Sequence, residues 1–353
     1  MVSEQLPHIV ILAGGGGTRL WPASRRARPK FLMTVRGHQT MLDETISRAT
    51  MFTDPDRILL VTGARNATEV GVIAERWGVA MIAEPSPRDT AASLVLAALL
   101  IQQNDPGAVV ISMPADHLID GSTQFMASMR DCITEAQRDR IACIGVSPQG
   151  PNTNFGYVKA PSDESTSPRA ATSFHEKPDA AAALRYWRSG AYFWNTAIMG
   201  WRSNILLSVA ETVAADLAAM VAQAVQTDGT IDGEKWTKLP KIAAEPALIE
   251  PAASRGSVVL VPAAFSWVDV GTWSAVADLS AETPNSLVLS HGSRQPFVYT
   301  STVDSVRRYA VVGLDDVIIV DCGDVVLVTT RAHASGVKGL VDGLHNSDCE
   351  NLL

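Results

Sequence analysis

An apolar strand that runs directly into four consecutive glycines is the feature that most restricts how this chain can fold. His8–Leu12 (HIVIL) reads as a buried strand, and Gly14, Gly15, Gly16 and Gly17 follow with a backbone free to take positive φ and turn its N–H groups toward an anion. A run of cations comes close behind, with Arg19, Arg25, Arg28 and Lys30. That order suits a polyphosphate. Spacing excludes two common glycine loops. A dinucleotide fingerprint needs a third glycine three residues after the second, but that position is Arg19 counting from Gly14 and Gly16, and Leu20 counting from Gly15 and Gly17. A Walker A loop needs Gly-Lys-Ser/Thr after four intervening residues, where this chain has Arg19.

The acidic background makes the cluster stand out. With 29 Lys and Arg against 37 Asp and Glu the net charge is −8, so the chain lacks a general nucleic-acid footprint, and a small phosphorylated ligand fits the local contrast better than a duplex. Hydrophobic residues at 46%, charged residues at 19% and a mean hydropathy of +0.10 describe a compact globule. At 353 residues there is room for a large α/β domain and a smaller companion. Cys132, Cys143, Cys322 and Cys349 form no CxxC pair and no metal-like spacing, which reads as reduced thiols in the cytoplasm. The N-terminal apolar run is too short for a signal peptide. The longest apolar stretch, Ala91–Ile101 (AASLVLAALLI), is about half of a bilayer span and reads as a buried helix, so no membrane partner is expected.

Short apolar runs alternate with helical periodicity through the first half. Strands are expected at His8–Leu12, Arg57–Thr62, Val79–Ala83, Ala108–Met113 and Ile141–Val146, and helices at Thr40–Met51, Asn66–Trp77, Thr90–Gln103 and Phe125–Arg138. This is an α/β pattern, a Rossmann-like mostly parallel sheet flanked by helices, in which ligands gather beyond the carboxyl ends of the strands. The glycine loop, Glu84–Thr90 and Pro114–His117 each follow an expected strand. Gln149–Pro168, rich in Pro, Ser, Asn and Gly, interrupts the alternation. After about Pro284 the pattern changes to short β-like pieces, Tyr309–Leu314, Val317–Val320 and Val325–Thr329. The expected domains are therefore 1–285, catalytic, and 286–353, a small C-terminal β-rich domain that reads as an assembly surface and carries the expectation of a homodimer.

Leu12-Ala13-Gly14-Gly15-x-Gly17-Thr18-Arg19-Leu20-x-Pro22, closed by Pro29-Lys30, resembles the signature of the sugar-1-phosphate nucleotidyltransferases. Trp21, and Ser24-Arg25 ahead of Pro29-Lys30, resemble its mannose-1-phosphate guanylyltransferase branch. The resemblance implies the nucleotidyltransferase fold, with Arg19 and Lys30 at the phosphates. Asp116, in Pro114-Ala115-Asp116-His117, and Asp269, in Asp269-Val270-Gly271, look like the two family segments whose aspartates hold Mg²⁺. By themselves, both aspartates read more readily as turn or cap acids, and it is the resemblance that favours the metal role. Glu84-Pro85-Ser86-Pro87-Arg88-Asp89-Thr90-Ala91 resembles the branch's base-side motif, which puts Glu84, Arg88, Asp89 and Thr90 at the nucleotide. Helix capping by Asp89 or Thr90 is the plainer account.

Three further segments resemble family sugar-side motifs: Asn154-Phe155-Gly156-Tyr157, Phe174-His175-Glu176-Lys177-Pro178, and Tyr192-Phe193-Trp194-Asn195-Thr196. A hexose presents several hydroxyls, which suit an acceptor such as Glu176, an amide such as Asn195 and a close-approaching backbone such as Gly156, with Tyr157 beside it and Lys177 toward the sugar phosphate. A helix entry at Glu176–Pro178 and an aromatic core strand at Tyr192–Trp194 are the structural alternatives. Phe31 stands where the branch commonly has Gln, and Thr196-Ala197 where it commonly has Ser-Gly. The implied reaction joins GTP and mannose 1-phosphate, giving GDP-mannose and pyrophosphate. The rivals are another sugar 1-phosphate such as a heptose or glucose, another nucleotide, or a catalytically silent paralogue that binds sugar nucleotide.

Overall fold

The structure is a computed structural model that describes residues 5–161, 168–279, 287–301, 307–345 and 347–353. The chain forms two compact units, each assembled from separated segments. The first takes Met1–Gly14, Thr45–Ala115 and Ile119–Trp267, and the second Gly15–Glu44, Asp116–Leu118 and Val268–Leu353. The expected boundary at 285/286 falls in 280–286, outside the described residues.

In the first unit, apolar runs become the strands of a parallel sheet, mostly buried on both faces except at the edge strand, which is largely half-buried. These are β1 (His8–Ala13), β2 (Ile58–Gly63), β3 (Ala80–Glu84) and β4 (Val109–Pro114). They lie parallel in the order β3-β2-β1-β4. Leu12 pairs with Pro114, Ala13 with Thr62 and Gly63 with Glu84, so β1, β3 and β4 all end at one edge of the sheet. After β5 (His117–Asp120) comes β6 (Ile141–Val146), and then three short strands, β7 (Tyr157–Lys159), β8 (Arg169–Ala170) and β9 (Ser173–His175).

The expected mostly parallel sheet is observed, and beyond β4 it becomes mixed. β10 (Tyr192–Arg202) runs antiparallel between β4 and β6, and β11 (Val258–Ala263) lies parallel to β6. β10 begins at the aromatic stretch read as a core strand but runs well past it. A register shift between Asn195 and Met199 breaks its periodicity, and that break hides the second half from pattern reading.

Helices α1 (Met41–Ala49), α2 (Ala67–Trp77), α3 (Asp89–Asn104) and α4 (Ser122–Gln137) fall where periodicity placed them. α3 is the buried helix expected at Ala91–Ile101, with Ala91 to Ala98 all inside the core. Its start differs from the capping account. Asp89 is itself the first helical residue at φ 65°, its carboxylate accepts from the Thr90 N–H, and the Thr90 hydroxyl accepts from the Ala244 N–H at 2.8 Å. The helix entry expected at Glu176–Pro178 lies slightly later. Asp179 caps α5 (Ala180–Ser189) by accepting from the Ala182 N–H at 2.7 Å.

The second unit builds its apolar cluster from both ends of the sequence. Leu20, Trp21, Ala23 and Met33 pack in one cluster with Val270, Trp273, Tyr299, Ile318, Val320 and Leu327. The β12 strand (Ser266–Asp269) leads into this unit, followed by β13 (Val288–His291), β14 (Phe297–Thr300), β15 (Tyr309–Val312), β16 (Val317–Asp321) and β17 (Val326–Thr330). The three expected β pieces correspond to β15, β16 and β17. β13 pairs parallel with β15 and β14 with β16, while β16 and β17 form the antiparallel pair.

Close packing in the first unit is testable at Gly200 on β10. A Cβ there would stand 2.8 Å from both Cys132 Sγ on α4 and Ile111 Cδ1 on β4. Gly200→Ala should therefore cost about 1–3 kcal/mol in urea unfolding. An unchanged midpoint would show that α4 can move away from the sheet freely.

Candidate active site

In the second unit Arg19 and Lys30 each sit in a single turn of 3-10 helix, Thr18–Leu20 and Lys30–Leu32. Gly17 joins the glycine run to the first turn at φ 53°, and its missing side chain matters. A Cβ there would lie 2.5 Å from Ser24 Oγ and 2.6 Å from Lys30 Cβ, so the loop closes on Lys30 only through glycine. Gly15 also has positive φ, at 94°, with open space where a Cβ would be, which leaves its backbone accessible to a ligand. Gly15, Gly17, Thr18, Arg19, Leu20, Lys30, Asp116, Asp269, Val270 and Gly271 line a cavity of about 210 Å³, and all of them belong to the second unit.

Lys30 is the centre of this cavity's charge. Its residue is 7% exposed, and Nζ lies 2.8 Å from Asp116 Oδ2 and 2.7 Å from Asp269 Oδ1. Burial by itself would lower the lysine pKa, but the two carboxylates outweigh it and hold the ammonium above its ordinary range. Burial would likewise raise Asp269, yet Lys30, His117 and Arg19 bring it down to about 2. The Arg19 guanidinium lies about a van der Waals contact from the position of a Gly271 Cβ, at 3.8 Å. Two cationic side chains, two convergent carboxylates and open glycine N–H groups can bind phosphate oxygens and a hard cation at the same place.

In the first unit the sugar-side residues also come together. Lys177 Nζ donates to Glu176 Oε1 at 2.7 Å, and the Glu176 N–H donates to Glu250 Oε1 at 2.9 Å. A Cβ on Gly156 would be 2.6 Å from Glu176 Oε2, so glycine is required for that approach. Asn195 is buried at the β10 irregularity. Its Oδ1 accepts from the Ala197 N–H at 3.0 Å and its Nδ2 donates to Glu245 Oε1 at 3.3 Å. Tyr157 differs from its neighbours. Its side chain is fully buried, and its hydroxyl accepts from the Asn152 N–H and donates to the Asn152 carbonyl.

Sequence reasoning missed Glu245. It opens a π-helical turn, Glu245–Ile249, and such turns recur at functional sites. Burial first, and then the charge of Glu176, push its carboxyl up to about 7. The signal in the sequence is an acid set inside an apolar run, IAAEPALI.

The segment Glu84–Thr90 leaves the carboxyl edge of β3. Glu84 is buried and accepts from the Ser93 hydroxyl one turn into α3, and burial raises its pKa to about 7. Arg88 faces a different task from the one its motif suggests. Its guanidinium donates to the carbonyls of Trp236 and Thr237, while the Trp236 indole donates to the Ser86 carbonyl at 2.9 Å. Those bonds sew the segment to the helical turn Gly233–Trp236. Leu12 and Ala13 end β1, where the Leu12 carbonyl accepts from the Ala115 N–H and the Ala13 carbonyl from the Thr62 hydroxyl.

Residues 8–286 match the nucleotidyl transferase family, and the chain belongs to that family. It is 29% identical over 98% of its length to the xanthan biosynthesis protein XanB of Xanthomonas campestris pv. campestris, covering 74% of that protein. It is 27% identical to a mannose-1-phosphate guanylyltransferase of Escherichia coli K12, over 94% of this chain and 72% of that one. Among solved structures, one titled mannose-1-phosphate geranyltransferase, from Thermus thermophilus, superposes with a TM-score of 0.83 at 26% identity, covering 97% of this chain and 100% of that one. The expected nucleotidyltransferase fold is thus observed. Among the described residues no helix is long and apolar enough to cross a membrane.

Glu245 gives this region a pH dependence whose sign is fixed. With a folded value near 7 against an ordinary 4.5, the folded chain holds more protons than the unfolded chain between those values. The stability contributed by the neutral carboxyl is full below about 4.5 and is lost as pH rises through about 7. Glu245→Gln keeps the side chain neutral, so its melting temperature should fall less than the parent's between about pH 5.5 and about pH 8. Equal falls would mean that Glu245 is already ionised at the lower pH.

Proposed function

We propose that this chain transfers a guanylyl group from GTP to mannose 1-phosphate, releasing pyrophosphate and GDP-mannose. The observation that carries the reading is the buried Lys30 ammonium held between Asp116 and Asp269 beside an open glycine turn. Nucleotidyl transfer needs that set of charges. The attacking group is a sugar phosphate oxygen, already anionic, so neither a protein nucleophile nor a general base is required. What the protein supplies is position and compensation of the charge that shifts between phosphate oxygens. Lys30 and Arg19 meet those oxygens as cations, and the N–H groups of the glycine run orient the nucleotide's phosphates. Asp269, ionised far below neutral pH, keeps Lys30 protonated throughout the working range.

Mg²⁺ is part of the reading, and the residues fit it. Asp116 and Asp269 each meet the Lys30 ammonium through one oxygen, and each carries a second carboxylate oxygen with which a hard cation would be held beside it. Among the described residues no group of three or more His, Cys, Asp and Glu forms a complete cage. Phosphate oxygens and water would complete the shell, as Mg²⁺ prefers. When bound, the ion neutralises phosphate charge.

The mannose half of the reading is supported by the polar cluster of the first unit and by the names of relatives such as the E. coli enzyme. Glu176, Lys177 and Asn195 offer an acceptor, a cation and an amide, and Glu245 adds a carboxyl that is partly protonated near neutral pH. That mixture suits adjacent sugar hydroxyls better than a purely anionic pocket would. The guanine half rests on the likeness of Glu84–Ala91 to the branch motif.

Purified protein with Mg²⁺, GTP and mannose 1-phosphate should release pyrophosphate. Lys30→Ala should cost on the order of 100- to 1,000-fold in kcat, the scale of losing one oxyanion donor. Asp116→Asn or Asp269→Asn should remove most Mg²⁺-dependent turnover. Binding of GDP-mannose without turnover on any nucleotide and sugar 1-phosphate pair would replace this reading with that of a silent paralogue.

Base selectivity is tested separately. A site that pairs with guanine's N1–H, N2–H and O6 should favour GTP over ATP by at least about 100-fold in kcat/KM. Comparable rates with GTP, ATP and UTP would remove guanine from the assignment.

A further inference from the structure

The loop between Arg19 and Lys30 is held from outside the cavity by the C-terminal β segment of its own unit. Arg25 sits midway along that loop, in a tight reversal where the backbones of Arg25 and Arg28 bond to each other in both directions. Its guanidinium donates through Nη1 and Nη2 to the two oxygens of Asp324 at 2.6 and 2.7 Å, and through Nε to the Pro22 carbonyl at 2.8 Å. One N–H on each guanidinium nitrogen is therefore directed. Asp324 lies in the turn between β16 and β17, where the Cys322 N–H donates to the Val325 carbonyl. Those strands contribute Ile318, Val320 and Leu327 to the apolar cluster that also holds Leu20 and Trp21. Two indoles fix the Trp21 end of the loop as well. Trp21 Nε1 donates to the Leu352 carbonyl at 2.9 Å and Trp273 Nε1 to the Trp21 carbonyl at 2.8 Å.

We infer that Arg25 and Asp324 are positioning residues for nucleotidyl transfer, forming a bidentate strut that sets where the loop presents Arg19 and Lys30. The inference rests on the phosphate role proposed for those two cations. Stability is a poor explanation for the pair. Asp324 is half exposed, and exposed ion pairs contribute about 0–1 kcal/mol. Direction is what a fork and carboxylate add over a point charge. Displacing a reacting group by about 1 Å can cost about 100-fold, so a small loss of direction is visible in rate long before it is visible in melting.

The test uses Asp324→Asn and Arg25→Lys, each of which keeps size or charge while losing the paired fork, together with the double variant. The full chain is assayed for kcat and KM, and the reactivity of the Lys30 amine is read by acylation and peptide mass spectrometry. Each variant should lose about tenfold in kcat with both KM values within about twofold, and its melting temperature should stay within a few degrees of the parent's. Lys30 labelling should rise severalfold, and the double variant should be no worse than either single one, because both remove the same strut. Folded variants with parental kcat and parental Lys30 labelling would overturn the inference, as would additive losses in the double variant. Should Asp324→Asn fail to fold, Arg25→Lys decides alone. A parent protein without turnover on any pair would defeat the proposed reaction, while the labelling arm would still decide whether the strut places Lys30.

Discussion

A lysine buried between two aspartates is the interaction on which the second unit depends. Removing an ammonium from water is costly, and only close, well-aligned carboxylates offset that cost. Lys30 has one on each side, drawn from segments far apart in sequence: Asp116 from a three-residue stretch and Asp269 from the end of β12. The arrangement therefore joins residues 15–44, 116–118 and 268–353 electrostatically as well as through their shared apolar cluster. Gly17 follows from the same requirement, since any side chain at that position would occupy the volume of Lys30 Cβ and Ser24 Oγ. The glycine signature is thus partly a packing constraint around the lysine, in addition to a source of free N–H groups.

The first unit solves the opposite electrostatic problem. Glu176 and Glu245 both act on one lysine, Lys177, whose side chain is largely exposed, while Glu250 accepts from the Glu176 backbone N–H. Burial first, and then the neighbouring charge of Glu176, raise the Glu245 carboxyl to about 7. A neutral carboxyl can donate as well as accept. Asn195 contributes the same duality through its amide, with its own position fixed by the bond to the Ala197 N–H. The chemistry of the two units differs accordingly. One concentrates cations beside strongly ionised acids, and the other offers mixed donors and acceptors.

Much of this was legible in the sequence where a local rule acted alone. HIVIL, VVIS and IACIGV are continuous apolar runs that suit strands covered on both faces, and the Ala91–Ile101 run suits a buried helix. The glycine run and its cations announce phosphate chemistry by order and spacing. β10 was only half legible. Its first residues are aromatic and strand-like, but the shift between Asn195 and Met199 breaks the alternation on which strand reading depends. Glu245 was invisible because its environment is made by partners 50 and 69 residues away, Asn195 and Glu176, and no periodicity reports such a meeting. Arg88 shows the converse. Its motif suggests a ligand, while its hydrogen bonds go to the carbonyls of Trp236 and Thr237, a turn that the motif does not contain.

The C-terminal β strands carry the argument one step further. Their exposed apolar residues, Leu289, Val312, Val326 and Val328 among them, give the appearance of an appended module, and the sequence alone supports that view. The buried side tells otherwise. Tyr299 packs against Trp273 at 5.0 Å between ring centroids, Trp273 bonds to the Trp21 carbonyl, and Trp21 lies on the loop that ends in Lys30. A continuous chain of packed aromatics and directed hydrogen bonds thus runs from β14 to the residues lining the cavity. Order in the loop is inherited from the strands behind it, because a segment with two short 3-10 turns makes too few backbone bonds to define its own geometry. The C-terminal strands of the second unit are consequently part of the device that shapes the phosphate loop, even though among the described residues none beyond Gly271 lines the cavity.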